Sequence, residues 1–216
     1  MKITVLGGGG VRSPFLAKSL ISNAERVGLT EIVFMDSNEE KLNIYGKIAE
    51  KIAKKINPGI KFWLTSDPVA ALKDANFIIT TIRVGEDKAR VLDERIALNN
   101  GILGQETTGA GGFAMSLRSI PKILEYCKMI EQYSAEGAML FNFTNPSGIV
   151  TQAIHLSGFK NVYGICDAPS EFIKQVAKVL EKPLEEVSAE CFGLYHLSWF
   201  RNIKVNGKDA MEELLA

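Results

Sequence analysis

Histidine and cysteine are scarce in this chain, with two His and three Cys among 216 residues. Cys127, Cys166 and Cys191 form an odd set without Cys-x-x-Cys spacing, which excludes a disulfide framework or a zinc finger as the organising device. Long hydrophobic runs are missing too. The opening MKITVLGGGG has only a few apolar residues before glycine, too short for a signal-peptide core or a membrane span. Charge of one sign is also absent, because 25 Lys plus Arg balance 25 Asp plus Glu, so nothing draws the chain generally to nucleic acid or to an anionic membrane. There is no internal repeat, low-complexity tract or Pro/Ser-rich linker. These absences, with reduced thiols and 46% hydrophobic residues, describe an ordinary globular protein with a sizeable core, expected in the cytoplasm.

What is present is an alternation of strand-like and helical patterns. Apolar runs occur in KITVLGG, EIVFMD, KFWLTS, DANFIITTI, AMLFNFTN and NVYGICD, with helices expected over about 13–27, 39–56 and 170–180. That order predicts an α/β fold, a doubly wound Rossmann-like parallel sheet with helices on both faces. The last segment, AECFGLYHLSWFRNIKVNGKDAMEELLA, reads as two strands, a turn at Asn206-Gly207 and the beginning of a helix. The expected organisation is an NAD-binding domain over 1–168, followed over 169–216 by the start of a truncated α+β substrate and metal-binding domain. The stretch Gly101 to Gly112 holds five glycines and is expected to be a shaped loop.

Chemistry enters at the ends of the expected strands. Gly7 to Gly10 lie between a strand and a helix, where backbone N–H groups can hold a pyrophosphate. Gly7 and Gly9 fill two positions of G-x-G-x-x-G, but the third falls on Arg12. The second strand ends in Asp36, a carboxylate suited to ribose hydroxyls and unfavourable to a 2′-phosphate, which favours NAD over NADP. A tight turn without ligand and a helix-capping Asp36 are the plain alternatives. Arg83, Arg90, Asp93, Glu94, Arg95 and Glu106 surround the glycine-rich stretch, and Arg forks suit a phosphate or carboxylate, unless these charges merely form solvated helix faces. Asn142 and Asn145, then Cys166 and Asp167, stand at expected strand ends, although Asn145-Pro146 is also a turn signal. His196 lies in GLYHLSW, whose apolar neighbours predict partial burial. Thiolate and imidazole together suit a first-row transition ion better than magnesium. Taken singly, a residue such as Cys166 is more often a small buried hydrophobe and one such as His196 more often a satisfied core histidine.

The set GGGGVRSP, TTIRVG, GQETTGAGGF, NFTNPSGIVTQA, ICDAP and GLYHLSW, in this order, resembles glycoside hydrolase family 4 along nearly the whole chain. These are NAD- and divalent-metal-dependent glycosidases that depart from two-carboxylate hydrolysis. The resemblance implies that NAD takes hydride from C3 of the sugar. A base then removes the C2 proton while the metal acts as Lewis acid, the aglycone leaves C1, water adds, and hydride returns. It implies Cys166 and His196 as ligands of a divalent ion, manganese in typical members. Gly7, Gly9, Val11, Asp36 and Arg83 would line NAD, and Arg90, Glu106 and Asn145 the substrate, a phosphorylated disaccharide or glucoside. Asp167 corresponds to a general acid in some α-type members and leans toward 6-phospho-α-glucosidases. GQETTGAGGF is the longer motif and leans toward 6-phospho-β-glucosidases, the favoured reading. A homo-oligomer is expected.

Family members run longer, and their tyrosine base and a phosphate-binding arginine lie beyond this chain, so Tyr195 receives neither role. The apolar helix start AMEELLA supports truncation. Two further readings stay open: an inactive NAD-binding fragment, and a 2-hydroxyacid dehydrogenase of the lactate and malate type, for which no His-Asp relay is recognisable.

Overall fold

The structure, a computed structural model, describes residues 1–194 and 196–216; Tyr195 lies outside the described residues. Apolar runs form β1 (Lys2–Leu6), β2 (Glu31–Met35), β3 (Lys61–Thr65), β4 (Phe77–Thr80), β5 (Met139–Asn142) and β6 (Val162–Gly164). They make one all-parallel sheet in the order β3-β2-β1-β4-β5-β6. Helices α1 (Ser13–Ser22), α2 (Ala24–Val27), α3 (Glu39–Lys41), α4 (Lys47–Ile56), α5 (Pro68–Leu72), α6 (Glu86–Asn99), α7 (Gly109–Tyr133) and α8 (Ser147–Leu156) connect them.

The pleat sends alternate residues to opposite faces. Ile3, Val5, Ile32 and Phe34 pack with Ala17 and Ile21 of α1 and Ala49 and Ala53 of α4. Their neighbours Leu6, Val33 and Met35 join Ile78 and Leu140 under α5, α7 and α8. Burial on both faces explains why these strands read as continuous apolar runs. The chain winds outward from β1 to β3, returns, and winds the other way from β4 to β6. Strand order therefore reverses between β1 and β4, where a crevice opens beyond the carboxyl ends of the strands.

The helices differ from expectation in two places. The helix expected over 13–27 breaks at Asn23, whose side-chain amide donates to the Ser19 carbonyl at 2.9 Å. The one expected over 39–56 passes through a π-helical stretch, Leu42–Gly46. There Gly46 lets Leu64 approach so closely that a Cβ would stand 3.0 Å from its methyl carbon.

The chain divides into two compact units, Met1–Ile165 and Cys166–Ala216, three residues ahead of the expected boundary after 168. The second comprises α9 (Ala168–Val179), the antiparallel strands β7 (Val187–Leu194) and β8 (Leu197–Val205), the short β9 (Lys208–Asp209) and α10 (Met211–Leu215). Val176, Ala177, Leu180, Val187, Ile203 and Ala210 form its core. The expected turn at Asn206-Gly207 joins β8 to β9 with φ of 49° and 79°, the positive pair a tight hairpin requires. No described helix is long and apolar enough to cross a membrane.

Candidate functional site

The first group of site residues is built by backbone pressed on backbone. Gly7 has φ +105°, and a Cβ there would stand 2.6 Å from Thr81 Oγ1 at the end of β4. A Cβ on Gly8 would stand 2.5 Å from Phe34 Cβ in β2, and one on Gly9 2.8 Å from Asp36 Oδ2. No other residue type fits three such approaches in succession. The Gly9 N–H donates to Asp36 Oδ2 at 2.8 Å, and the Asn38 N–H to Oδ1 at 2.9 Å, so the carboxylate just beyond β2 is oriented from both sides. Next, α1 begins at Ser13 after Arg12 with no side-chain cap and no acid in its first turn, leaving its end favourable to an anion. Val11 lies exposed on the turn. The absent third glycine costs little, because its place falls before the helix, whose own buried contacts are Ser13, Ala17 and Ile21.

A second group gathers on Glu106, whose side chain is 11% exposed. Arg83, in the β4–α6 connection, donates through both terminal nitrogens to Glu106, at 3.1 and 3.0 Å. Arg90 on α6 reaches the same carboxylate at 3.0 Å and donates its Nε to Glu94 at 2.8 Å. The Glu94 bond chiefly holds the Arg90 guanidinium above its ordinary pKa. Asn145, three residues past β5, donates its Nδ2 to Glu106 at 3.2 Å. Residues 83, 90, 106 and 145 thus meet at the carboxyl edge of the sheet. Asp87 lies 3.7 Å from Arg83, so two guanidinium groups face three carboxylates and the group offers no cationic excess.

The glycine-rich stretch proves shorter as a loop than expected, since α7 already begins at Gly109. Its glycines serve close packing: a Cβ on Gly111 would stand 2.4 Å from the Gln105 carbonyl oxygen, and one on Gly104 2.5 Å from that of Glu94. The segment carrying Glu106 is therefore pressed between α6 and the first turn of α7.

The third group belongs to the second unit. Cys166 Sγ lies 3.8 Å from His196 Nε2, and 3.9 Å from Asp167 Oδ1. Cys166 and Asp167 follow β6 instead of ending it, and Asp167 is the N-cap residue of α9. His196 is exposed, which corrects the expected partial burial. It sits at φ 57° between Leu194 and Leu197, the last pair of the β7–β8 ladder. Apolar neighbours there do not cover it, because Leu194, Leu197 and Trp199 are themselves exposed. A half-buried thiol and an exposed imidazole at this separation suit one ion, since donors lie roughly 2.0–2.3 Å from a metal such as zinc. Among the described residues no group of three or more His, Cys, Asp or Glu gathers, so any ion held here takes its remaining ligands from elsewhere.

The partners that fasten these groups were not legible in the sequence, although Asp93 and Asn142 were themselves among the candidates. Asn38 caps α3 and donates its amide to Glu86 at 2.9 Å, tying the segment after β2 to the start of α6. Asn142 is wholly buried, accepts from Thr80 Oγ1 at 2.9 Å and donates to Thr151 at 3.0 Å. Buried Asp93 pairs with Arg118 of α7. Asn142, at a strand end, carried a signal in the sequence; the other partners are 25 and 48 residues apart with no pattern linking them.

With this geometry in view, comparison defines the class. The model of the family 4 glycosyl hydrolases matches residues 2–182, and the chain belongs to that family. Among particular relatives, the 6-phospho-beta-glucosidase of Escherichia coli (strain K12) is 37% identical over 221 residues, covering 100% of this chain and 48% of that protein. The crystal structure of the 6-phospho-beta glucosidase from Thermotoga maritima with manganese, NAD+ and glucose-6-phosphate superposes with a TM-score of 0.91 at 34% identity, over 99% of this chain and 52% of that one. A 6-phospho-alpha-glucosidase from gut microorganisms, in complex with NAD and glucose-6-phosphate, superposes with a TM-score of 0.94 at 32% identity, over 99% and 50%. The chain spans about half the length of the relatives it matches.

Proposed function

We propose that this chain carries the NAD-binding part and two metal ligands of a cytoplasmic 6-phospho-β-glucosidase. The observation that carries this reading is the approach of Cys166 and His196 to 3.8 Å across thirty residues of sequence. A 2-hydroxyacid dehydrogenase of related fold has no need of such a pair. When bound, NAD would supply reversible hydride acceptance at a sugar carbon and the divalent ion Lewis acidity beside it.

The chain's own residues have these roles. Gly7, Gly9 and the start of α1 hold the pyrophosphate, Asp36 accepts from the adenosine ribose, and Val11 and Arg83 flank the cofactor. Glu106, Arg90 and Asn145 face the sugar. Because three carboxylates surround Arg83 and Arg90, this group is better suited to sugar hydroxyls than to a phosphate, whose cationic partner must lie elsewhere. Asp167, beside the thiol, would give a proton to the leaving oxygen. Its presence also supports a second reading, a 6-phospho-α-glucosidase.

The test is hydrolysis of a chromogenic 6-phospho-β-glucoside and its α-anomer with NAD, manganese and a reductant. Faster turnover of the β-anomer is expected. Preference for the α-anomer reverses the anomeric assignment, and NAD binding without turnover of either makes the chain a binding fragment.

A further inference from the structure

We propose that Asp93 and Arg118, which have no role in the reading above, form a positioning pair for the Glu106 group. Asp93 is 6% exposed and sits on α6 one turn beyond Arg90. Arg118 on α7 donates through both terminal nitrogens to the two oxygens of Asp93, one of these bonds being 2.8 Å. The same guanidinium donates its Nε to the Val84 carbonyl at 3.4 Å and Nη1 to the Ala114 carbonyl at 3.3 Å. One side chain therefore joins the β4–α6 connection, α6 and α7.

Those three pieces carry the cluster itself. Arg83 immediately precedes Val84, Arg90 and Glu94 lie on α6, and Glu106 stands three residues before α7. The backbone at the join has little tolerance. Gly85 has φ +80°, and a Cβ on it would stand 2.6 Å from Ala89 Cβ and 3.5 Å from Arg118 Nε. A planar fork that meets a carboxylate with two parallel bonds while its Nε reaches a carbonyl is a task that lysine cannot perform. The pair is a short, partly buried tie, and its loss lets α6 and the Arg83 segment shift relative to Glu106 without unfolding the sheet beneath.

The inference that this positioning affects cofactor binding rests on the NAD reading. The experiment therefore uses two readouts on the full chain with Arg118→Lys and with the isosteric Asp93→Asn. The first is the side-chain Nε–H spectrum of ¹⁵N-labelled arginine, in which Arg90 is held by Glu94. The second is the affinity for NAD. In either folded variant the Arg90 signal is expected to shift and exchange faster, with NAD affinity falling about tenfold, the scale of losing a supporting contact. Asp93→Glu, which keeps the fork, is expected to recover most of both. Lys122→Met, which removes the exposed pair with Glu125 and the cation–π contact with Tyr126 on the same helix, is the control. Arginine signals and NAD affinity both unchanged in a folded variant overturn the proposal. Changed arginine signals in a chain that never binds NAD uphold the pair and sink the cofactor reading instead.

Discussion

Residues 1–165 and 166–216 hold their functional groups by different means. In the first unit, backbone meets backbone: Gly7, Gly8 and Gly9 press on Thr81, Phe34 and Asp36, beside a sheet buried on both faces. In the second, the Cys166–His196 pair lies beside a hairpin turn whose Phe192, Leu194, Leu197 and Trp199 are exposed, backed by a core of six buried side chains. The difference teaches that the glycine turn is specified by sterics, which leave one arrangement, whereas Cys166, after β6, and His196, past β7, stand among exposed side chains. Regions with few buried apolar contacts open most readily, so this pair is expected to be the more mobile of the two groups.

The largest effect expected from breaking this contrast is on the first core. Phe34 is wholly buried, packs against Phe62 with ring centroids 4.9 Å apart and planes tilted by 58°, and lies under the glycine turn. Phe34→Ala should cost about 3–5 kcal/mol of stability by chemical denaturation. Trp199→Ala, at 64% exposure, should cost no more than about 0.5 kcal/mol. Comparable losses in the two variants would end the distinction.

A smaller effect is expected at Cys166 and His196. Cys166→Ser and His196→Ala should each weaken manganese binding about tenfold or more, read from the paramagnetic signal of the free ion. Melting should stay near that of the unaltered chain, since neither residue belongs to a core cluster. Unchanged affinity in both removes the metal assignment.

The smallest concerns the remaining thiols. Burial pushes the Cys127 thiol from its ordinary 9.0 up to about 12, so the folded state keeps a proton that the unfolded state releases. Stability from this group is fully present below pH 9 and is lost as pH rises toward 12. At pH 10 the loss is about 1.4 kcal/mol at most. Cys127→Ala should therefore lose less stability than the unaltered chain between pH 8 and pH 10, measured by thermal unfolding. Equal losses would show that burial does not hold the proton on Cys127.

The fold was largely legible because its signals are local. Continuous apolar runs named the parallel strands in order, 3.6-residue periods named the helical stretches over about 13–27, 39–56 and 170–180, and Asn206-Gly207 named its own turn. Departures from expectation fall where distant parts of the chain pack closely. The helical run expected over 39–56 is continuous but π-helical over Leu42–Gly46, where Leu64 packs on Gly46, and the loop expected over 101–112 gives way to α7 at Gly109, where Gly111 packs on Gln105. His196 was misjudged for a related reason: apolar neighbours in sequence bury a residue only when another element covers them, and here Leu194 and Leu197 are exposed.

By itself the sequence determined the alternating strands and helices, the glycine turn and the acid after β2, since each depends on residues a few positions apart. Only the tertiary structure decided that Glu106 joins Arg83, Arg90 and Asn145, that Cys166 meets His196, and that Asp93 finds Arg118. Those meetings depend on strand order, helix packing and hairpin register. A side chain's own sequence neighbourhood carries no record of which distant partner these will bring within hydrogen-bonding range.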